Sequence, residues 1–179
     1  EAAETLTEEP SGNERELALL EADRLQALGD IERDEGRYGE AILCYEEALK
    51  AYQAHADRVK EGRLIGSIGK IYYTQGEHER AIEPFTQALN IAREIGDKRT
   101  EGRQLGNLGN VHRVQGQLDQ AMVFFTRALN IAREIGDKRS EGSQLGHLGI
   151  ICKVLGQHEQ AIAYYSQALH IAREIGDRR

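Results

Sequence analysis

The sequence predicts an all-α fold, a superhelical solenoid of four antiparallel helix pairs. Three observations carry that prediction. The phrase Ala88-Leu89-Asn90-Ile91-Ala92-Arg93-Glu94-Ile95-Gly96-Asp97 recurs 40 residues later as Ala128 to Asp137, and again as Ala168 to Asp177 with His170 in place of Asn. A weaker copy opens one period earlier at Ala48-Leu49-Lys50. Three small-residue series keep the same beat: Gly29, Gly69, Gly109, Gly149; Gly36, Gly76, Gly116, Gly156; and Ala41, Ala81, Ala121, Ala161. Apolar residues recur at three- and four-residue spacing, and no alternating strand pattern competes with them.

Residues 1–10 read as an acidic, disordered tail, and residues 11–179 as the array, with repeats of about 14–55, 56–95, 96–135 and 136–179. The first helix runs over 11–35, opened by Ser11 and Glu14 at capping-box spacing after Pro10. The third repeat shows the plan of the others most clearly. Its first helix spans about Asp97 to Gln115, with Leu105, Leu108, Val111 and His112 on one side. Gly116 ends it, since glycine enters the left-handed conformation of a helix terminus freely. Its second helix spans about Leu118 to Ile135, with Ala121, Phe124, Phe125, Ala128, Leu129 and Ala132 on one stripe. Gly136 closes that helix and Asp137 caps the next. A single pair cannot bury its apolar stripe, whereas stacked pairs can.

Gly66, Gly69, Gly106, Gly109, Gly146 and Gly149 fall inside helices, where each costs ~1 kcal/mol relative to Ala. Close approach of a neighbouring helix backbone is the expected compensation for the Gly69, Gly109, Gly149 series. For Gly66, Gly106 and Gly146 two readings stand, repeat-to-repeat packing or clearance for a ligand, with packing the stronger. Pro84 falls in the second helix of repeat two, where Phe124 and Tyr164 are its counterparts, and predicts a local bend.

Charge narrows the function. The 179 residues hold 30 acidic and 23 basic side chains, and residues 1–40 alone hold 13 and 4 of them. That leaves 17 acids against 19 bases elsewhere, so the acidity belongs to one end. An acidic chain is a poor nucleic-acid binder, because phosphate contacts supply most of such affinity. No apolar run approaches the ~20 residues of a membrane helix. Cys44 and Cys152 do not make a disulfide framework, which points to a cytoplasmic, reducing setting. Starting at Glu1 and stopping in mid-pattern at Arg179, the sequence is expected to be part of a longer one.

The spacing Gly109, Ala121, Phe125, Ala128 resembles the tetratricopeptide repeat, and so do Gly29, Ala41, Tyr45, Ala48; Gly69, Ala81, Phe85, Ala88; and Gly149, Ala161, Tyr165, Ala168. The family's usual aromatic early in the first helix is replaced by Leu25, Ile65, Leu105 and Leu145. The 40-residue period and the stretch Leu105-Gly106-Asn107-Leu108-Gly109-Asn110 are similar to the Leu-Gly-Asn, Pins-like subtype, and the near-identity of repeats three and four to bacterial-type arrays. The resemblance implies a right-handed superhelix and a non-enzymatic role in protein–protein recognition, with an extended peptide or helix held in a concave groove.

The family's groove positions fall on Asp23, Gln26, Asp30, Arg33 and Asp34 in repeat one, and on Arg63, Ser67, Lys70, Tyr73 and Thr74 in repeat two. They fall on Arg103, Asn107, Asn110 and Arg113 in repeat three, and on Ser143, His147, Ile150 and Lys153 in repeat four. The groove is thus expected to be acidic in repeat one and basic beyond it, suited to a partly acidic segment. Asn can donate to and accept from a peptide backbone, and Arg binds carboxylates in a bidentate way. The carboxylate clamp of chaperone adaptors is disfavoured by Gln26, Asp30, Ser143 and His147. A solvated helix face is the competing reading of the Arg/Asn series.

No metal, cofactor or catalytic group is expected. His78 and His158, and likewise His112 and Cys152, lie in different repeats, too far apart for bonds of ~2.0–2.3 Å. The run from Gly62 to Lys70 fails as a phosphate loop, because Leu64 stands where its first Gly is required and Ile71 where Ser or Thr is. Two other functions remain open: homotypic assembly or a structural spacer role through the exposed end helices, the last of which carries Ile162, Tyr165, Ala168, Leu169 and Ala172, part of which would lack a cover, and regulation of an enzyme domain outside this sequence.

Overall fold

A computed structural model describes residues 12–176 of the chain. The expected acidic tail over 1–10 and the Ser11 cap lie outside the described residues. Within them the fold is an all-α helical repeat of eight helices: α1 Gly12–Asp34, α2 Tyr38–Ala54, α3 Arg58–Thr74, α4 His78–Glu94, α5 Lys98–Val114, α6 Leu118–Glu134, α7 Lys138–Val154 and α8 His158–Gly176. The chain forms two compact bodies, one closing at Glu61 and the other opening at Gly62.

Helix ends fall where local chemistry directs. Asp97 and Asp137 accept hydrogen bonds from the backbone N–H of Thr100 and Ser140, at 3.0 and 3.1 Å, which supplies one of the orphan donors of each helix start. Gly116 takes φ +76° and closes α5. At the position of Gly96 and Gly136 the linker between α2 and α3 carries Ala56, which adopts φ +56° despite its Cβ.

In the first body, α1 and α2 pack around Ala22, Ala41, Tyr45, Ala48 and Tyr52, all buried. The Tyr52 hydroxyl donates to Asp23 at 2.8 Å, so the ring is buried without orphaning its polar end. In the second body, Phe85 and Leu89 of α4 meet Leu105, Leu108 and Val111 of α5. One repeat later, Phe125 and Leu129 of α6 meet Leu145, Leu148 and Ile151 of α7. The second helix of one repeat therefore packs on the first helix of the next. A polar contact accompanies each junction, since Arg93 pairs with Glu101 and Arg133 with Glu141, both at 2.9 Å.

The glycine series divides differently from expectation. A Cβ at Gly69, Gly109 or Gly149 would lie 2.7 Å from the ring of Phe85, Phe125 or Tyr165, so an aromatic ring, not a helix backbone, occupies the vacancy. At Gly66 and Gly106 the near atoms belong to Gln104 and Gln144, at 2.8 and 3.3 Å, which is repeat-to-repeat packing. Gly146 faces open space. Pro84 sits within α4 without interrupting it, and that helix has the same 17 residues as α6.

Substitution at these positions separates the causes. Gly109→Ala should destabilise by ~1–3 kcal/mol in urea unfolding, because the Phe125 ring has no room to retreat, whereas Gly146→Ala should be neutral or stabilising by up to ~1 kcal/mol. Equal effects at both sites would refute the ring contact as the cause. Pro84→Ala should raise the melting temperature by restoring the helix bond to the Arg80 carbonyl; an unchanged or lower value would show that Pro84 imposes no strain.

Candidate binding groove across α3, α5 and α7

Residues 103, 107, 110 and 113 lie three or four apart along α5, so Arg103, Asn107, Asn110 and Arg113 share one face of that helix. The next helix of the same type, α7, brings Ser143, Gln144 and His147 opposite them. Between the two lies a cavity of about 800 Å³ lined by Arg99, Arg103, Asn107, Asn110, Arg139, Gln144 and His147, with Ala128 and Ile131 of α6 as its apolar floor. A smaller cavity of about 180 Å³ on the other side of α5 is lined by Lys70, Tyr73, Thr74 and Phe85, and shares Asn107 and Asn110 with the first. The two asparagines thus stand on the ridge between adjoining hollows.

Cationic side chains dominate. Arg63, Arg103 and Asp97 lie close enough to influence one another. Desolvation in the concavity lowers the Arg103 pKa below its ordinary value, and Arg63 adds to that while Asp97 opposes it. Arg99 pairs with Asp137 at 3.2 Å. The Asp97 carboxyl is held low: burial opposes ionisation, but hydrogen bonds from Thr100 and the nearby Arg63 and Arg103 outweigh it.

Hydrogen-bonding capacity is left over. The Asn107 side-chain amide donates to Gln104 Oε1 at 3.0 Å, which leaves its own oxygen free to accept. Arg113 Nε, Gln144 Oε1 and His147 Nδ1 are buried without a hydrogen-bond partner among the described residues. Such orphaned groups cost ~1–3 kcal/mol each. The His147 ring stacks on Phe125 with centroids 4.6 Å apart. Burial first, and then the neighbouring Arg113, push its pKa below the ordinary histidine value.

The groove positions expected from the sequence do not all converge. Arg103, Asn107, Asn110 and His147 line the larger cavity, while Lys70 and Tyr73 line the smaller. Arg63 and Arg113 act on them electrostatically. Lys153 is exposed in the last turn of α7 and lines neither hollow. Asp30 belongs to the first body, where its carboxylate accepts from the Tyr45 hydroxyl at 2.6 Å and from Arg33 at 2.7 Å. Among the cavity residues not anticipated as groove positions are Arg99, Asp137, Arg139, Ser140 and Gln144. The recurrence of Gln104 at Gln144, just before a buried leucine, was the signal for the glutamine.

A family model described as the tetratricopeptide repeat matches residues 19–94 and 103–177. No curated protein sequence matches the chain. Among solved structures, the chain is similar to aspartyl phosphate phosphatase F from Bacillus subtilis, with a TM-score of 0.85 and 20% identity over 89% of this chain and 42% of that one. It is similar to BtubC (BKLC) from P. vanneervenii, with a TM-score of 0.78 and 21% identity over 87% and 64%. For the apo form of RapI the TM-score is 0.82, with 18% identity over 89% and 58%. The chain spans less than two thirds of each, and at these identities the likeness is one of fold.

The depressed His147 pKa means that the unfolded chain takes up its proton first as pH falls. Stability should therefore be full above the ordinary value of 6.5 and decline below it. Urea unfolding across that window should show the decline in the parent and a flatter profile in His147→Gln; parallel profiles would count against it.

Proposed function

Since the chain belongs to the tetratricopeptide repeat family, we propose that it is a non-enzymatic interaction module that holds an extended, partly acidic segment of a partner protein against α5 and α7. The reading is carried by one observation: Arg103, Asn107, Asn110 and His147 line a single cavity of about 800 Å³ whose walls leave buried polar atoms without partners. Carboxylates of the ligand match the guanidinium groups of Arg99, Arg103 and Arg139, and charge-assisted bonds of this kind are roughly twice as strong as neutral ones. Peptide N–H and C=O groups match the amides of Asn107 and Asn110.

We assign the array to the 40-residue Leu-Gly-Asn, Pins-like subtype of bacterial type, on the recurrence at residues 88, 128 and 168 and on Leu105 to Asn110. The proposed repeats are 14–55, 56–95, 96–135 and 136–179. A cytoplasmic setting suits free cysteines at 44 and 152. No described helix is long and apolar enough to cross a membrane. The reading calls on no cofactor, metal or nucleic acid.

Selection from a display library of random peptides tests the proposal. The parent should enrich sequences rich in Asp and Glu. A variant carrying Arg103→Glu, Asn107→Ala, Asn110→Ala and Arg113→Glu, shown folded by circular dichroism, should bind the selected peptides at least about tenfold more weakly, a loss of ~1.4 kcal/mol. Selection of peptides without acidic residues, or equal binding by both proteins, would remove the groove as the site.

A further inference from the structure

Arg113 lacks the partners that an arginine of its register has in repeat one. Two periods earlier stands Arg33, whose guanidinium pairs with Asp30 at 2.7 Å and with Asp34 at 2.9 Å, and donates to the Tyr45 hydroxyl at 3.1 Å. In the register of repeat three those three places hold Asn110, Val114 and Phe125. Both carboxylates and the hydroxyl are gone, while the arginine is kept. Arg113 makes no ion pair or side-chain hydrogen bond among the described residues, and its Nε is enclosed without a partner. A partly buried cation in that state is costly until an anion reaches it.

Its neighbour on α7 is His147, whose pKa it helps to depress. On α5, Gln104 Oε1 accepts from the Asn107 amide at 3.0 Å. One period on, the same two places hold Gln144 and His147, yet Gln144 Oε1 and His147 Nδ1 are both enclosed without a partner. A neutral imidazole protonated on Nε2 presents only a lone pair at Nδ1, which cannot bond to an oxygen; an imidazolium presents N–H on both sides. The Arg113 Nη nitrogens and His147 Nε2 are not enclosed, and no protein group among the described residues accepts from them.

The charged groups that line the cavity with His147 are Arg99 and Arg103 of α5 and Asp137 and Arg139 at the start of α7. Asp137 is already engaged by Arg99 and by the cap of α7. From α6 come Phe125, Ala128 and Ile131, none of which titrates, and α8 supplies no lining residue. The surroundings of His147 are therefore rich in cations and short of a free carboxylate.

We propose that Arg113 and His147 form a subsite for one Asp or Glu side chain of the bound segment, with His147 charged in the complex. The carboxylate accepts from the Arg113 Nη nitrogens and from His147 Nε2, while Nδ1–H turns to Gln144 Oε1 as the Asn107 amide does to Gln104. Binding the anion takes up a proton, so affinity rises as pH falls. The ligand group is a side chain and not a chain end, because Asn110, beside Arg113 on the same face, joins a hollow on either side of α5 and the segment runs on across both. This inference rests on the groove reading above, and adds where an acidic residue sits and how pH governs its binding.

NMR titration of the full chain tests the subsite, with capped Gly-Glu-Gly as the probe and capped Gly-Gln-Gly as the control. Side-chain signals of Arg113 and His147 should shift saturably with the first and stay still with the second. Affinity should rise about threefold or more from about pH 8 to about pH 6, a range in which the probe carboxyl, with a pKa of about 4.3, is ionised throughout. Arg113→Gln should weaken binding about tenfold at both pH values. His147→Asn, which installs the residue of the same register in repeat three, should bind as the parent does at the higher pH and lose the rise. Thermal melts by circular dichroism at both pH values verify that each variant is folded. A parental affinity that is flat with pH overturns the proposal. So do shifts at Arg99 and Arg103 with none at Arg113 and His147, a result that leaves the groove reading standing and removes this subsite alone. Silence throughout the groove overturns it as well, and the peptide selection above then decides separately whether the groove binds. Tighter binding of acetylated Gly-Gly-Gly with a free C-terminus would give the subsite to a chain end, against the proposal.

Discussion

The fold depends on aromatic rings seated against helix positions that lack a Cβ. Within the first body Tyr45 lies over Gly29, and within the second Phe85, Phe125 and Tyr165 lie over Gly69, Gly109 and Gly149, with ring atoms 2.6–2.7 Å from where a Cβ would stand. Alanine would improve each helix by ~1 kcal/mol and would displace the ring. Full burial of one such ring contributes about 1.5–3 kcal/mol, so the glycine is the better choice at that point. With the ring seated, the two helices of a repeat are closely spaced, and Leu129 and its counterparts are directed at the next repeat.

Polar groups then set the register between repeats. Burial resists ionisation of Glu101, but hydrogen bonds from Arg93 and Lys98 overcome it and hold the carboxyl below its ordinary pKa; Glu141 repeats this with Arg133 and Lys138. A carboxylate placed so deeply tolerates one partner position only, since shifting it would leave a desolvated charge unpaired. The same junction shapes the groove. Glycine at 106 lets Gln144 approach α5, and the side chains around that approach bound the larger cavity. The candidate groove and inter-repeat packing are therefore two sides of one set of helices.

The fold was legible because its signals are local or periodic. Gly116 and Gly136 take the left-handed conformation at the expected helix ends, and Asp97 and Asp137 cap the helices that follow. Arg103, Asn107 and Asn110 were singled out by the resemblance to the family's groove positions, and helical spacing sets them on one face of α5, beside one cavity. The cause of the Gly69, Gly109, Gly149 series was not legible, since sequence records that a side chain is absent and not which atoms fill the vacancy. Asp30 was grouped with the groove by repeat position, yet its carboxylate is already engaged by Tyr45 and Arg33 in the first body.

What the sequence determined by itself was the period, the helical pairs and the alternation of buried and exposed positions, because these follow from hydrophobic spacing and from backbone chemistry a few residues long. Tertiary structure decided how far each copy of a repeated surface is covered. Leu129 and Leu169 follow nearly identical sequences, yet one is 4% exposed and the other 51%. Burial is a property of what lies opposite a side chain, and in a repeat that neighbour comes from about 15 or more residues away, beyond the reach of local pattern.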